Sequence, residues 1–495
     1  MLGAGRADSV ADARRLLAER IQQIPRFRQR LHRPPPGRGR PYWADIPAFD
    51  ALPHITEVAC PAPGDDRALL DVAAACLTAP LPAGRPLWSA TFVTGLTRGR
   101  TGLVIVADHV IADGVAGLAV LGKLADPPAA GPPASGSPVT AEASGGPAGS
   151  SLRGMRTGLA ELGGLRRPHL AVRTSLNRPT GPRRRIDVVP ADLAAVREFA
   201  HEHGGTVNDV VLGVVAGALR DMLAARGEQL TKVTISVLVS ARPATSGGEL
   251  GNQIGIMPVT VPTDGELGDR VTRIAAITRQ RKSRARGSSA ALLVPAFLLL
   301  ARAGLLRPFV NHQRFVNTFV TNLRGPDAPL SLGGRPVDTV IALPATTGNV
   351  TVTFGVLSYA GVLRITLLSD PARVADIGRL ILAVTRELKG LTSGIRHYAE
   401  DRTKAAMEPR SSAEIGTLDG GGIFREIPRK LSCGLPCIAQ VSVAVKAQSR
   451  RQAVVRSSPP SARVVNQRAR TCAACGPFGP WVTLYSTFWF SSRLR

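Results

Sequence analysis

A strand, a turn and a helix are predicted around His109 by the stretch Leu103-Val-Ile-Val-Ala-Asp-His-Val-Ile-Ala-Asp-Gly-Val-Ala-Gly117. Its first part, Leu103 to Val106, is a continuous run of leucine and β-branched residues, which predicts a buried strand. The residues from Val115 onward favour a helix. His109 is therefore expected at the end of a strand, four positions before Asp113, with a turn between the strand and the helix.

Three residues of this stretch have side chains or backbone properties suited to a reaction, namely His109, Asp113 and Gly114. A neutral imidazole at a strand end can take a proton from a hydroxyl or a thiol, because its ordinary pKa lies near working pH. Asp113 is suited to cap the following helix or to orient the ring, and Gly114 permits a sharp bend without a Cβ clash. Alone, this spacing is more typical of a partly buried histidine before a capped helix, so the surrounding sequence must decide.

Further motifs lie on both sides of this stretch. They are Pro25-Arg-Phe-Arg-Gln-Arg-Leu31, Gly39-Arg-Pro-Tyr-Trp43 and Arg85-Pro-Leu-Trp88 upstream, and Gly181-Pro-Arg-Arg-Arg185, Thr206-Val-Asn-Asp209, Leu250-Gly-Asn252, Thr321-Asn-Leu-Arg-Gly-Pro326 and Leu357-Ser-Tyr-Ala-Gly361 downstream. Taken together, from about residue 12 to residue 400, they resemble the bacterial wax ester synthase/diacylglycerol acyltransferase family. The active-site signature of that family is His-His-x-x-x-Asp-Gly, which is similar to Asp108-His-Val-Ile-Ala-Asp-Gly114 here.

The resemblance implies roles for the signature residues. The second histidine of the family's signature is taken as the general base, and this position is His109. Asp113 would hold the loop and the ring, and Gly114 would permit the bend.

The resemblance also implies supporting residues outside the signature. Asn208 and Asp209 correspond to a pair that lies near the active-site channel in the family, although a helix N-cap is the simpler interpretation. Asn208 and Asn322 are the candidate oxyanion donors by resemblance, and Trp88 is expected either to line a pocket or to pack in the core.

Asp108 is the main departure from the family signature, because it replaces the first histidine. A carboxylate beside the base is expected to raise the pKa of His109, which would leave more of the imidazole protonated at neutral pH. The segment ahead of the Pro25 motif also looks shorter than in the family. A less efficient enzyme, or an inactive lipid-binding homologue, is therefore an open alternative.

The fold that the resemblance implies is α/β (α+β), with two chloramphenicol-acetyltransferase-like halves, mixed sheets and an active-site channel at their interface. The predicted divisions are an N-terminal half carrying His109 (1–125), a flexible linker rich in Pro, Ala, Gly and Ser (126–150), a basic connecting segment (151–185), a C-terminal half (186–400) and a basic low-complexity tail (401–495). The tail is predicted to be disordered, since apolar periodicity is lost there.

The chain of 495 residues has a net charge of +26, which favours polyanionic partners such as nucleic acid, anionic lipid or the phosphates of coenzyme A. An aromatic content of 4% and the lack of a nucleic-acid motif argue against a nucleic-acid partner. The basic run 270–286 precedes the apolar run 290–306, a pattern typical of an interfacial membrane contact or of a core helix with a basic flank. The basic segment from Arg153 to Arg185, which ends in three arginines, is either solvated surface or an anion site for coenzyme A phosphates or lipid headgroups.

The six cysteines fall into two groups. Cys60 and Cys76 in the body fit a reducing cytoplasm. The tail cysteines, Cys433, Cys437, Cys472 and Cys475, allow a zinc hypothesis, but the first pair is loosely spaced and we expect no metal. We find no secretory signal and no stretch long enough to span a membrane, so the expected location is the cytoplasm, peripherally on the inner membrane or on lipid droplets.

The function implied by the resemblance is transfer of a fatty acyl group from acyl-coenzyme A to diacylglycerol or a long-chain alcohol. No resident cofactor is expected, because acyl-coenzyme A is a co-substrate. The same signature is similar to that of condensation domains that accept acyl groups from carrier proteins, and this donor is an alternative. A basic nucleic-acid-binding protein is a further alternative that depends on charge alone.

Overall fold

The structure is a computed structural model that describes residues 7–32, 34, 41–81, 84–112, 114–127, 170–240, 254–284, 300, 303–346, 348–391 and 439–446. The helices are α1 (Ala7–Gln22), α2 (Asp66–Thr78), α3 (Gly114–Leu124), α4 (Leu193–Glu202), α5 (Val207–Ala224), α6 (Leu267–Arg284), α7 (Leu306–Asn311) and α8 (377–391). The strands are β1 (Gln29–His32), β2 (Tyr42–Asp45), β3 (Ile55–Ala59), β4 (Trp88–Thr94), β5 (Gly102–Asp108), β6 (Arg185–Asp192), β7 (Lys232–Ser240), β8 (Ile254–Pro262), β9 (Thr318–Arg324), β10 (Leu330–Leu332), β11 (Arg335–Leu343), β12 (Val352–Tyr359), β13 (Val362–Ser369) and β14 (Ala439–Lys446).

The first large sheet contains β5, the strand that directly precedes His109. Its order is β10-β11-β14-β5-β4-β3, and it mixes parallel and antiparallel pairs. The predicted antiparallel pairing of β4 with β5 is confirmed, with Trp88 opposite Ala107 and Phe92 opposite Leu103. All seven residues of β5 are buried, as expected for a continuous apolar run in a central strand.

The second large sheet has the order β6-β13-β12-β9-β7-β8 and is also mixed. One of its faces packs on α5, which is buried from Asp209 to Leu219. Ile186 and Leu368, on the opposite face, join a cluster with α2 and with Val104 and Val106 of β5. The second sheet therefore has its own core and packs against the first half of the molecule, which confirms the predicted α/β fold with mixed sheets.

Strands β10 and β11 change the predicted division into halves. They lie within 186–400, which the sequence assigns to the C-terminal half, yet they pair into the first sheet. Tyr359 of β12 fixes this crossing, since its hydroxyl donates to Val337 O and accepts from Leu330 N at 2.7 Å. Strand pairing between distant segments leaves no local signal, which is why the boundary at residue 186 missed it.

Strand β14 lies inside the segment predicted to be disordered. It is parallel to both of its neighbours, β11 and β5. The structure therefore differs from the prediction for Ala439–Lys446, whose alternating valines have high β-propensity. Residues 128–169, which include most of the predicted linker and the first part of the basic segment, lie outside the described residues. Residues 392–438 and 447–495 of the C-terminal region also lie outside them.

The predicted start of α5 needs a correction. The sequence predicts Asn208 or Asp209 as the N-cap, whereas the N-cap is Thr206 and the helix begins at Val207. Asp209 is the third helical residue and completes a capping box with Thr206. Within the described ranges, no helix combines the length and the apolar composition that a membrane span requires.

Candidate active site at the end of strand β5

Asp108 ends β5 and shapes the turn that carries His109. Its amide donates to Leu87 O at 2.9 Å, its Oδ1 accepts from Val110 N at 3.0 Å, and its carbonyl accepts from Ile111 N at 2.8 Å. Asp108 is only 5% exposed, so these bonds are made where water cannot easily replace them. The residue that departs from the family signature is thus a structural part of the turn.

His109 has more solvent access than its neighbours in this turn. Val110, Ile111 and Ala112 are each at most 7% exposed and belong to the core cluster of the first half, whereas His109 is partly exposed. The apolar residues anchor the turn, and His109 is half-buried, with its Nδ1 atom out of contact with solvent. This placement confirms the prediction that His109 follows the strand end, and Asp113 falls outside the described residues.

Gly114 begins α3, as predicted, and it lies against the second half. A Cβ placed on Gly114 would be 3.1 Å from Cδ1 of Leu323, a residue of β9. The loop between β5 and α3 therefore reaches the second sheet, and His109 lies close in sequence to the contact between the two halves.

Trp88 lies in the core of the first half. It is 0% exposed, and its Nε1 donates to Phe27 O at 2.7 Å. Its ring stacks on His54 at a centroid distance of 4.6 Å, and His54 Nδ1 lies 3.0 Å from Trp88 O. Burial lowers the pKa of His54, so this second histidine is a neutral packing residue near pH 7. Of the two interpretations of Trp88 from sequence, core packing is the one that the structure supports.

Asp209 is held inside the second half. It is 3% exposed, its Oδ2 accepts from the Thr206 amide at 2.8 Å, and its Oδ1 accepts from the Thr278 hydroxyl at 2.8 Å. These bonds tie α5 to α6 and occupy both carboxylate oxygens. Asn208 is partly exposed at the start of α5.

Asn322 lies near the end of β9, directly before Leu323. Because side chains alternate along a strand, Asn322 lies on the opposite face from Leu323, which contacts Gly114. The structure thus places Asp108, His109 and Gly114 on one loop, and Asn322 on the sheet face that does not contact this loop.

The basic run before β6 is mostly occupied by internal bonds. Arg184 donates to Thr346 Oγ1 at 2.8 Å, and burial lowers its pKa. Arg185 donates to Asp187 at 2.9 Å, and this hydrogen bond raises the pKa of Arg185. Arg67 of α2 donates to Asp187 at 3.0 Å as well, so this aspartate also links α2 to β6. The structure therefore gives little support to an anion site at this run.

Sequence reasoning missed residues that support the site through packing. Leu87 supplies a backbone acceptor, Leu323 contacts the loop from the other half, and His54 stacks on Trp88. Only His54 carried a signal, as a histidine directly before a strand, whereas the other two are ordinary leucines. Among the described residues, no group of three or more His, Cys, Asp or Glu is arranged to hold a metal ion. The tail cysteines of the zinc hypothesis lie outside these residues.

Two family models match the chain. The wax ester synthase/diacylglycerol acyltransferase catalytic domain matches residues 3–165 and 148–211, and the C-terminal domain of the same family matches residues 250–392. The chain belongs to this family. It is an acyltransferase, and the His109 loop lies within the matched catalytic domain.

A curated relative agrees with this assignment, and two solved structures share the fold. A probable diacylglycerol O-acyltransferase of Mycobacterium tuberculosis is 28% identical over 417 residues, which cover 79% of this chain and 90% of that protein. The wax ester synthase/diacylglycerol acyltransferase of Marinobacter aquaeolei has a TM-score of 0.57 at 22% identity, covering 79% of this chain and 92% of that chain. The first condensation domain of the calcium-dependent antibiotic synthetase has a TM-score of 0.51 at 16% identity, covering 77% and 87%, which shows a shared fold.

Proposed function

We propose that this acyltransferase moves a fatty acyl group from acyl-coenzyme A to the hydroxyl of diacylglycerol or of a long-chain alcohol, giving triacylglycerol or a wax ester. His109 is the general base. The observation that carries the proposal is the turn after β5, which holds a partly exposed His109 in the loop that leads to Gly114, the residue that lies against the second half. Acyl-coenzyme A is consumed in each turnover, and the reaction needs no resident cofactor.

The imidazole of His109 carries out both proton transfers of the proposed reaction. His109 removes the proton from the acceptor hydroxyl as its oxygen attacks the thioester carbonyl, and a tetrahedral oxyanion forms. The oxyanion collapses, the carbon–sulfur bond breaks, and the imidazolium returns the proton to the leaving thiolate. The products are an ester and free coenzyme A, without a covalent intermediate on the enzyme. Asp108 positions the base by holding the turn.

The experiment that tests the proposal is a product analysis. Purified protein is incubated with radiolabelled acyl-coenzyme A and either diacylglycerol or a long-chain alcohol, and lipids are separated by thin-layer chromatography. We expect labelled ester with at least one acceptor. Absence of ester with both acceptors, in a preparation shown to be folded, would leave the lipid-binding alternative in place.

The acyl donor is tested separately, because the shared fold with a condensation domain keeps a carrier-bound donor open as the second candidate. The same acyl group is offered on coenzyme A and on an acyl carrier protein. We expect turnover with the coenzyme A thioester to exceed that with the carrier. The reverse preference would assign the chain to the carrier-dependent class.

We also propose that the enzyme works at an anionic membrane or lipid-droplet surface. Both lipid acceptors are held in such surfaces, and Arg273, Arg279 and Arg281 are exposed on α6. Lysine and arginine near an anionic surface each contribute about 1 kcal/mol of attraction. The apolar run that follows in sequence, 290–306, is of the composition that inserts at such an interface.

A further inference from the structure

An exposed apolar patch lies on the second half, where two segments far apart in sequence meet. Leu170 is 47% exposed, Val172 46%, Leu305 54% and Phe315 46%, and Phe309 lies among them. These five residues are the apolar patch. Together they expose apolar surface on the order of a few hundred Å², the size at which a contiguous patch on a folded protein often marks a contact site.

The part of the patch around α7 is held outward by polar contacts beneath it. Phe309 lies one helical turn after Leu305, and its ring lies 5.8 Å from the ring of Phe315. The Phe315 amide donates to Gln313 Oε1 at 2.7 Å, and Gln313 Nε2 donates to Asn349 Oδ1 at 2.7 Å. The exposed phenylalanine therefore lies on a fixed loop, which keeps its ring at the surface.

The other part of the patch lies directly beside this loop. The Ala171 amide donates to the carbonyl of Arg314, the residue before the exposed phenylalanine, at 2.7 Å. Ala171 is 3% exposed, whereas Leu170 and Val172 on either side of it are exposed. Asn317, itself 5% exposed, donates from Nδ2 to Val172 O at 2.7 Å. The two segments are thus bonded side by side, and their apolar side chains form one surface.

Cationic side chains lie next to the apolar patch. Arg173 and Arg307 are exposed and Arg314 is half-buried, and neither 170–178 nor 303–316 contains an aspartate or a glutamate. An apolar surface edged by cations is typical of proteins that insert shallowly among anionic lipids, because the arginines meet the headgroups while the apolar side chains enter the acyl region.

A second copy of this chain fits the patch less well than a membrane does. Two copies that meet through the same patch would bring the arginines of one copy close to those of the other, at a repulsive cost. The patch is also smaller than the roughly 800 Å² per partner of a stable protein interface. An anionic membrane has neither disadvantage.

We propose that the apolar patch is the surface that inserts into an anionic phospholipid membrane. The inference rests on the proposed membrane function and deepens it, because it names the side chains that enter the lipid. The arginines of α6 act through charge, which salt screens, whereas insertion of the patch removes apolar surface from water and persists in salt. The patch therefore retains the protein on the membrane after charge has attracted it.

Vesicle binding of the full chain tests the proposal. Leu305→Ser/Phe315→Ser removes two side chains of the patch, and Leu52→Ser/Leu382→Ser is the matched control, because these two leucines are 41% and 66% exposed elsewhere. Co-sedimentation uses vesicles of phosphatidylglycerol and phosphatidylcholine, and thermal unfolding shows that each variant is folded. We expect the patch variant to bind at least about tenfold more weakly than the parent, and the control to bind as the parent does.

The possible outcomes separate the patch from the membrane function itself. Equal binding of the two variants, with the parent bound, would overturn the proposal and leave the membrane function in place. A parent protein that does not bind these vesicles would remove both. A dimer that only the patch variant loses, with vesicle binding unchanged, would assign the patch to a second copy and also overturn the proposal.

A tryptophan at position 315 provides a second test that keeps the patch apolar. We expect the emission of Phe315→Trp, taken as the difference from the parent spectrum, to shift to shorter wavelength when vesicles are added, because the indole leaves water. Leu382→Trp is the control and should show no shift. Vesicle-bound Phe315→Trp protein without a shift would overturn the proposal. Neither test uses acyl transfer, so both remain informative if that activity is not found.

Discussion

Asp108 and His109 are neighbours with different surroundings, and the difference follows from the strand that precedes them. Asp108 is 5% exposed and its carboxylate accepts a hydrogen bond from the Val110 amide, whereas His109 is partly exposed at the next position. The family signature has a histidine in place of Asp108. An aspartate can shape the same turn because its carboxylate reaches the amide two residues along the chain.

Two substitutions at position 108 separate the effect of the hydrogen bond to Val110 from the effect of the carboxylate charge. Asp108→Asn keeps an oxygen acceptor for Val110 N, so we expect kcat to change little, while the acidic limb of the kcat/KM profile moves to lower pH. The sign follows because a neighbouring negative charge favours the protonated imidazole, and its removal favours the neutral base. Asp108→Ala leaves a buried amide unpaired, at a cost of about 1–3 kcal/mol in stability.

The measurements are a pH–rate profile and urea unfolding of both variants. The outcome that contradicts this account is an alanine variant as stable and as active as the asparagine variant. The sequence predicted that His109 follows the end of β5, because the composition of the preceding residues defines where the strand ends. It did not predict the hydrogen bond of Asp108 to Val110, since that bond depends on the conformation of the turn.

Helix α3 is held at both ends, and the His109 loop leads directly into it. At its start, Gly114 lies against Leu323 of the second half. After its end, Asp126 accepts hydrogen bonds from Arg20 at 2.6 Å and from the amides of Gly333 and Gly334 at 2.9 and 2.8 Å. Both glycines have positive φ, a backbone conformation that presents consecutive amides to the carboxylate.

Asp126→Asn tests the clamp after α3. Burial raises the pKa of Asp126, but the bonds from Arg20, Gly334 and Gly333 outweigh it and hold the pKa at about 2, below the ordinary 3.8. A carboxylate whose pKa is lower in the folded protein than in the unfolded chain stabilises the fold at pH values above the unfolded pKa. This stabilisation is lost as the pH falls toward 2. We expect a loss of about 1–2 kcal/mol at pH 7 that shrinks steadily between about pH 5 and pH 2.

Urea unfolding at several pH values measures this loss. Asp12→Asn is the matched control, because Asp12 pairs with Arg15 on α1 with side chains 67% and 68% exposed. Exposed pairs of this kind contribute little, and we expect a change below about 0.5 kcal/mol. A pH-independent loss at Asp126 would contradict the assigned charge–amide contact.

Gly114→Ala tests the contact of α3 with the second half. The added Cβ would meet Leu323 at 3.1 Å, closer than an ordinary contact, so we expect lower stability and slower turnover. In a Leu323→Ala background the same change should be neutral or stabilising, because alanine favours a helix over glycine. Thermal unfolding of the parent protein, the two single variants and the double variant gives the coupling free energy between the two positions. Additive effects would show that the two residues do not touch.

Several strands could be predicted from the sequence. β5, β4 and β7 were predicted because a run of apolar or β-branched residues defines a strand locally. The crossing of β10 and β11 and the insertion of β14 were not predicted, because partner choice depends on segments hundreds of residues apart. The cap at Thr206 was missed in favour of its neighbours, since all three residue types at the start of α5 cap helices well.

The whole molecule carries a net charge of +26, and its effect should depend on salt. We expect binding to vesicles with anionic phosphatidylglycerol to fall by more than about tenfold between 0.05 and 0.5 M salt, with little binding to neutral phosphatidylcholine. Vesicle co-sedimentation measures this. Arg279→Glu/Arg281→Glu should weaken binding more than Arg197→Glu/Arg379→Glu, which makes the same change in charge elsewhere. Equal losses in the two pairs would remove the role of α6.

The proposed role of His109 as the base of an acyl transfer is tested by replacing it and, separately, a second histidine. We would measure kcat for His109→Ala beside His201→Ala, an exposed histidine of α4, with acyl-coenzyme A and the better acceptor. Loss of a general base lowers the rate by about 10² to 10⁴, and we expect a fall in that range for position 109 alone. Turnover of His109→Ala within about twofold of the control, well short of that loss, would show that His109 is not the base.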